Sequence, residues 1–158
     1  MTERIRVEDI SFSYGGAGYA SVFESLSFTI SKGDLICFLG PNGTGKSTLL
    51  KCLNGLLKPG KGAVYLYGRN ISRLSRSEIA STTGFVPQSQ TSTFPFSVRD
   101  VVVMGRTPHL PLFSSPGKRD RQIADEVMEM VGIPHLADKP CTMISGGEWQ
   151  LTLIARAL

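Results

Sequence analysis

The sequence predicts an α/β fold with an antiparallel β region at the N-terminus and a helical subdomain later in the chain. Apolar and polar side chains alternate within the first thirty residues, as they do in strands that bury one face. The run Leu35–Leu39 is apolar without a break, which is typical of a strand buried on both faces. Residues 91–140 show helical spacing instead. Together these patterns indicate a β-rich part followed by a helical insert.

Composition and charge argue against several classes of protein. The chain has 158 residues, 41% apolar and 19% charged, which suits one domain with a core. The net charge is +4, but Lys and Arg form no long run, so we expect no nucleic-acid partner. The longest apolar run has five residues, far below the roughly 20 that span a bilayer, so we expect no direct membrane insertion. Three cysteines without C-x-x-C spacing, and a polar N-terminus, indicate the cytoplasm.

Residues 1–90 are predicted to contain strands, turns and two helices. A turn at Ser31–Asp34 precedes the apolar run. A helix is predicted over Ser47–Leu57, because Gly60 and Gly62 lie beyond its end. The other predicted elements are two alternating strands near Ile10–Tyr14 and Leu26–Ile30, two short strands at Val64–Tyr67 and Gly84–Pro87, and a short helix at Ile79–Ala80.

The rest of the chain is predicted to be largely helical. Helices are expected at Ser97–Met104 and Asp120–Val131, with a proline-containing loop at Thr107–Lys118 between them. A last helix is expected at Gly147–Leu158. The residues predicted to anchor it to a core are Leu151, Ile154, Ala155 and Leu158.

The glycine-rich segment after Leu39 matches the pattern G-x-x-x-x-G-K-[ST]. It comprises Gly40, Pro41, Asn42, Gly43, Thr44, Gly45, Lys46 and Ser47. Glycines allow a tight turn in which successive backbone N–H groups surround a triphosphate, and the helix that follows directs its first N–H groups at the same charges. Lys46 supplies a positive charge, and the Ser47 hydroxyl is a hard oxygen ligand of the kind that Mg²⁺ binds. The segment therefore predicts a P-loop NTPase core that binds ATP and Mg²⁺.

Three further motifs, taken with this loop, resemble one family, the ABC ATPases. Tyr14 lies 32 residues before Lys46, where the family places an aromatic ring that stacks on adenine; core packing is the alternative for this side chain. Gly84-Phe85-Val86-Pro87-Gln88 resembles the family's Q-loop. Ile144-Ser145-Gly146-Gly147-Glu148 resembles the ABC signature, with Ile in place of the usual Leu. The resemblance implies an ABC-type core.

The resemblance implies a role for each matching residue. Lys46 and Gln88 would be catalytic, and Ser47 and Gln88 would contact Mg²⁺. The nucleotide would also be contacted by Tyr14, by the loop as far as Thr48, and by the signature residues Ser145, Gly146, Gly147 and Glu148. Because the family's signature contacts the γ-phosphate held by the opposite subunit, a head-to-tail homodimer with a second ATP-binding subunit is implied.

The string Met104-Gly105-Arg106-Thr107-Pro108-His109-Leu110 is similar to importers of iron–siderophore, haem and cobalamin complexes. The implied function is that of an ATP-binding subunit on the inner face of the cell membrane, which couples ATP to metal-chelate uptake through integral-membrane permease subunits. Residues 91–140, with the aromatics Phe94, Phe96 and Phe113, are the expected docking surface. His109 is interpreted as a packing or docking residue rather than a metal ligand. An ABC protein of DNA repair or translation is a further alternative, although the compact spacing of the motifs disfavours it.

The resemblance covers the whole chain but only part of the family's domain. No apolar strand ending in Asp-Glu follows Leu158, so the C-terminal part of the core is expected to be missing. The expected divisions are a β region with the P-loop core (1–90), a helical subdomain (91–140), and the signature with its helix (141–158). Weak or absent hydrolysis by this chain alone is expected, as is an apolar sheet edge at Leu35–Leu39 open to water. A truncated module or gene remnant that binds but does not hydrolyse ATP is the alternative function.

Overall fold

The fold is described from a computed structural model that defines residues 3–15, 18–88, 94–111 and 114–158. The chain divides into two compact units, residues 1–79 and residues 80–158. Each unit has its own apolar core, and each is described by itself below.

The first unit is built on a four-stranded antiparallel sheet, as the alternating sequence pattern predicted. Its strands are β1 (Glu3–Phe12), β2 (Phe23–Ser31), β3 (Lys61–Leu66) and β4 (Arg69–Asn70), in the order β2-β1-β3-β4. Val7 of the central strand pairs with Phe28 on one side and Val64 on the other. A register shift after Val7, with Asp9 at φ 47°, lets both Val7 and Ile10 face the core although they are three residues apart.

The described residues of the first unit form the helix α1 (Lys46–Leu53), a 3₁₀ turn at Ile71–Arg73 and most of α2 (Arg76–Ala80), which ends one residue past the boundary between the units. The predicted helix over Ser47–Leu57 is therefore too long at its C-terminus. It ends early because Gly55 adopts a left-handed φ of 65°, a helix-stopping conformation that glycine tolerates. Leu49 and Leu53 of α1 pack with the sheet residues in one core.

Two predicted strands, Leu35–Leu39 and Gly84–Pro87, are not formed in the described part of the chain. Leu35 is 97% exposed and Leu39 is 87% exposed, so the prediction that this run is buried on both faces is wrong. A strand requires a hydrogen-bonded neighbour, and none of the described strands pairs with either run. The run is open to water, as expected, but as an irregular segment and not as the expected sheet edge.

The second unit is helical, as predicted. It contains α3 (Val98–Met104), α4 (Lys118–Val131) and α5 (Gly146–Ala157), together with 3₁₀ turns at Thr107–His109, Pro134–Leu136 and Cys141–Met143. Ser97 caps α3 by accepting from the Asp100 backbone N–H at 3.1 Å. The core of this unit includes Val98, Val102, Ala124, Met128, Leu136 and Ala155.

The last helix is anchored only in part by the residues predicted, because Ala155 is buried and Ile154 is partly buried, but Leu151 and Leu158 are exposed. Thr152, Leu153 and Ala155 are buried, whereas Leu151 is 39% exposed and Leu158 is 72% exposed. Leu151 and Leu158 lie seven residues apart and therefore share one side of the helix, beside the side that Thr152 and Leu153 bury. None of the helices in the described ranges combines the length and hydropathy that crossing a membrane requires.

Candidate functional site

The loop between the exposed apolar run and α1 requires glycine at three positions. Gly40, Gly43 and Gly45 have φ angles of 153°, 84° and 87°, in the region that other residues rarely adopt. At Gly45 there is also no room for a side chain, because a Cβ would lie 2.5 Å from Cγ1 of Val22. At Gly43 no atom lies within 4 Å of the position of a Cβ, so this side of the turn is open. The three glycines shape an exposed backbone turn that leads directly into a helix.

Lys46, the first residue of α1, folds back over this loop. Its ammonium group donates to the Gly40 carbonyl oxygen at 2.8 Å, to the Pro41 carbonyl oxygen at 2.6 Å and to Thr44 Oγ1 at 3.4 Å. These contacts hold the positive charge of Lys46 against the loop. A bound anion would compete for that charge, because the ammonium has only three protons to donate.

The N-terminus of α1 is suited to an anion. The first turn contains no acidic residue, and no side chain caps the helix at Gly45. The unpaired N–H groups and the helix dipole of such a terminus favour negative charge. The Ser47 hydroxyl lies in this first turn, where it is available as an oxygen ligand. The glycine geometry, the Lys46 charge and the Ser47 oxygen therefore fit a nucleoside triphosphate with Mg²⁺.

Tyr14 lies beside this loop rather than in the core. It follows the end of β1 and is 69% exposed, while its hydroxyl is 2.8 Å from Oγ1 of the buried Thr48. The rings of Phe12 and Tyr14 pack in a T-shaped arrangement, with centroids 5.0 Å apart and an interplanar angle of 87°. The core-packing alternative for Tyr14 is therefore not supported. The sequence does not predict the pairing with Thr48, because the two hydroxyls are 34 positions apart and no local pattern joins them.

The remaining predicted site residues lie in the second unit. Gln88 is exposed at the end of a described segment, and residues 89–93 lie outside the described part of the chain. Phe94 and Phe96 are exposed, at 65% and 46%, with ring centroids 6.0 Å apart; Phe113 lies outside the described residues. His109 is exposed within a 3₁₀ turn.

The signature-like residues form a helix cap. Ser145 caps α5: its hydroxyl accepts from the Glu148 N–H at 3.3 Å, and Glu148 Oε2 accepts from the Ser145 N–H at 2.6 Å. Hydrogen bonds from the Ser145 backbone and hydroxyl lower the pKa of Glu148. No atom lies within 4 Å of a Cβ position at Gly146 or Gly147. Their backbone is therefore open at an exposed helix terminus, as the sequence predicted.

Comparison with known proteins finds the family that the sequence motifs resemble. The family described as ABC transporter matches residues 23–158. The chain is 38% identical over 158 residues to the molybdate import ATP-binding protein of Haemophilus influenzae, covering 100% of this chain and 56% of that protein. It is 38% identical over 161 residues to the ferric enterobactin transport ATP-binding protein of Escherichia coli, covering 100% of this chain and 58% of that protein.

A solved structure has the same fold. It is described as a metal-chelate type ABC transporter in an inward-facing conformation, and it superposes with a TM-score of 0.81 at 38% identity. The match covers 99% of this chain and 56% of the other. The chain thus spans a little over half the length of these relatives.

Proposed function

Since this chain belongs to the ABC transporter family, we propose that it acts as the ATP-binding subunit of an importer. The observation that carries the proposal is the loop Gly40–Ser47, in which three left-handed glycines and the Lys46 ammonium precede a helix with no acidic residue in its first turn. ATP and Mg²⁺ are the ligands that this donor set fits best.

In this proposal the loop residues bind and orient the phosphates. Backbone N–H groups of the loop, which Pro41 lacks, surround them, and Lys46 exchanges its bonds to Gly40 and Pro41 for bonds to phosphate oxygens. Ser47 and Gln88 would hold the metal, which would supply positive charge beside the phosphates. Tyr14, held at its hydroxyl by Thr48, presents an exposed ring face for the base. Catalysis then comes from positioning and charge neutralisation.

The second unit supplies the proposed contacts to a partner. Two such subunits would pair head to tail, so that Ser145, Gly146 and Gly147 face the γ-phosphate held by the other subunit. The capping pair Ser145–Glu148 fixes the turn in which those backbone groups are exposed. Residues 91–140, with the exposed Phe94 and Phe96, would dock on the permease subunits at the inner face of the membrane.

We further propose that the imported substrate is a metal chelate, such as an iron–siderophore, haem or cobalamin complex. The Met104–Leu110 string and the likeness to a metal-chelate type transporter support this class. The similar molybdate protein of Haemophilus influenzae leaves an oxyanion as the competing substrate. Uptake of radiolabelled ferric siderophore, haem, cobalamin and molybdate by cells that express the transporter would decide between them, and uptake of molybdate alone would contradict the proposal.

We expect the 158-residue chain by itself to hydrolyse ATP weakly. Lys46, Ser47 and Gln88 can hold and orient Mg–ATP, but the motifs recognised in these residues include no carboxylate placed to polarise the attacking water. Phosphate release by the chain, compared with its Lys46→Ala variant, measures this directly. Rapid turnover that depends on Lys46 would show the expectation to be wrong.

The nucleotide site is tested by calorimetric binding of Mg–ATP to the chain and to two matched variants. Lys46→Ala removes the charge over the loop and should weaken binding by about 10- to 100-fold, because a hydrogen bond to a charged group is worth roughly 1.5–3 kcal/mol. Lys51→Ala removes the same charge from the exposed last turn of the same helix and should change binding by less than about threefold. Equal losses, or none for Lys46→Ala, would contradict the proposal.

A further inference from the structure

The C-terminal end of α5 lies closer to two glycines than any side chain would allow. A Cβ at Gly105 would lie 2.2 Å from the Arg156 carbonyl oxygen, and a Cβ at Gly84 would lie 2.5 Å from the Ala157 carbonyl oxygen. Neither glycine has a left-handed φ, so close backbone approach, and not backbone conformation, is what requires glycine at both positions. The opposing atoms belong to the main chain, which cannot rotate away.

Each glycine belongs to a motif of the second unit. Gly84 begins the segment that reaches Gln88 four residues later, and Gly105 ends α3 within the Met104–Leu110 string. The helix that they contact begins at the Ser145 cap. One helix therefore joins the signature-like turn at its N-terminus to the start of the Gln88 segment at its C-terminus.

The helix between these two ends is suited to transmit a displacement. It has 12 residues, which corresponds to about 18 Å of rigid helix. Thr152, Leu153 and Ala155 are buried along its middle, and close-packed interiors transmit small shifts rather than absorbing them. A displacement at Arg156 and Ala157 therefore moves the Ser145 end as well.

We propose that Gly84 and Gly105 are positioning residues that set the location of α5, and with it the Ser145–Glu148 turn relative to the Gln88 segment. The proposal rests on the proposed function, in which that turn and Gln88 both act on nucleotide. It also gives the glycine of the Met104–Leu110 string a physical role at the end of α5.

The required displacement follows from the distances. An ordinary Cβ contact needs about 3.4 Å, so Gly105→Ala would move the end of α5 by about 1.2 Å and Gly84→Ala would move it by about 0.9 Å. A misplacement of about 1 Å at a reacting centre can cost on the order of 100-fold in rate. The matched control is Gly117→Ala, whose Cβ would lie at an ordinary 3.8 Å from Asp120 Oδ2.

Amide chemical shifts of the ¹⁵N-labelled chain test the positioning without nucleotide. Gly84→Ala and Gly105→Ala should shift the amides of residues 145–148 and the Trp149 indole at the far end of α5, and Gly117→Ala should leave them in place. Changes confined to the turn around each glycine would overturn the proposal. If Gly105→Ala does not fold, Gly84→Ala carries the test, because it displaces only the last residue of the helix.

ATP hydrolysis by the assembled transporter supplies the second readout. Gly84→Ala and Gly105→Ala should lower kcat by about 10- to 100-fold while the Kd for ATP changes less than about twofold, because both residues belong to the second unit and the Gly40–Ser47 loop belongs to the first. An unchanged kcat, or parallel losses in kcat and binding, would contradict the proposal. Failure of the unmodified protein to bind ATP would contradict the proposed function instead and leave the amide-shift test standing.

Discussion

The glycines of the Gly40–Ser47 loop allow its shape to be tested by two substitutions that differ in one respect. Gly43 and Gly45 have nearly the same backbone conformation, with φ of 84° and 87°. A Cβ at Gly43 would point into open space, whereas a Cβ at Gly45 would lie 2.5 Å from Val22 Cγ1 and 3.3 Å from Phe23 Cδ1. Gly43→Ala therefore reports backbone strain alone, and Gly45→Ala reports strain together with steric overlap.

The expected losses in the free energy of unfolding follow from the backbone strain and the steric overlap. Placing alanine in the left-handed region costs roughly 1–2 kcal/mol, of which about 0.4–1 kcal/mol is offset because alanine restricts the unfolded chain. Gly43→Ala should therefore cost about 1 kcal/mol. Gly45→Ala must also move Val22 by about 0.9 Å, and overpacking of this kind adds roughly 1–3 kcal/mol.

Urea unfolding followed by far-ultraviolet circular dichroism measures the difference in stability between Gly43→Ala and Gly45→Ala. We expect Gly45→Ala to be less stable than Gly43→Ala by about 1–3 kcal/mol, with the same dependence on urea concentration. Equal losses for the two variants would show that Val22 does not approach the loop as described. A smaller loss for Gly45→Ala would refute the reasoning altogether.

Two further predictions concern the stacking of Tyr14 on the nucleotide base and the cap of α5. Tyr14→Ala should weaken ATP binding by roughly 1–3 kcal/mol through lost stacking, whereas Tyr14→Phe should keep the affinity and lose only the bond to Thr48; equal losses in calorimetric titrations would assign the effect to the hydroxyl or to folding. Because the hydrogen bonds from Ser145 lower the pKa of Glu148 below its ordinary value, the capping pair should stabilise the folded chain fully above the pKa that Glu148 has in the unfolded chain. This stabilisation should be lost as the pH falls through the lower pKa of the folded state. The free energy of unfolding, measured by the fluorescence of Trp149, should therefore fall less steeply at acid pH in Glu148→Gln than in the unmodified chain. An unchanged pH profile would contradict this account of the cap.

Local patterns were sufficient to predict most secondary structure. The alternation in β1 and β2 indicates which side chains face the core. In α4 the buried residues are Ala124 and Met128, and Val127 and Val131, four residues apart, pack against the same core. Gly132, with φ 81°, ends that helix, where a left-handed glycine is expected. These features depend on residues close together in the sequence.

The errors concern burial that depends on distant partners. Leu35–Leu39 has the composition of a buried strand, but burial requires neighbouring strands, and composition cannot supply them. In α5 both Leu151 and Leu153 are apolar, and only the packing of α3 and α4 decides that Leu153 is the buried one. Sequence analysis could not choose between them from spacing alone.

The part of the candidate site that consecutive residues form, the Gly40–Ser47 loop, could be predicted from the sequence. The loop motif specified the left-handed glycines, the charge of Lys46 and the helix that follows. It did not reveal that the ammonium group of Lys46 is bound to the loop's own carbonyl oxygens, or that Thr48 holds Tyr14. Those contacts depend on how the backbone folds in three dimensions.

The position of bound nucleotide on the chain is the most direct test of the central claim. The chain has a mass of 17.1 kDa, which suits amide chemical-shift mapping of the ¹⁵N-labelled protein during titration with Mg–ATP. We predict the largest changes at residues 40–47, together with Tyr14. Changes centred instead on the cleft lined by Tyr65, Arg69 and Arg73, with residues 40–47 unmoved, would contradict the assignment of this loop as the nucleotide site.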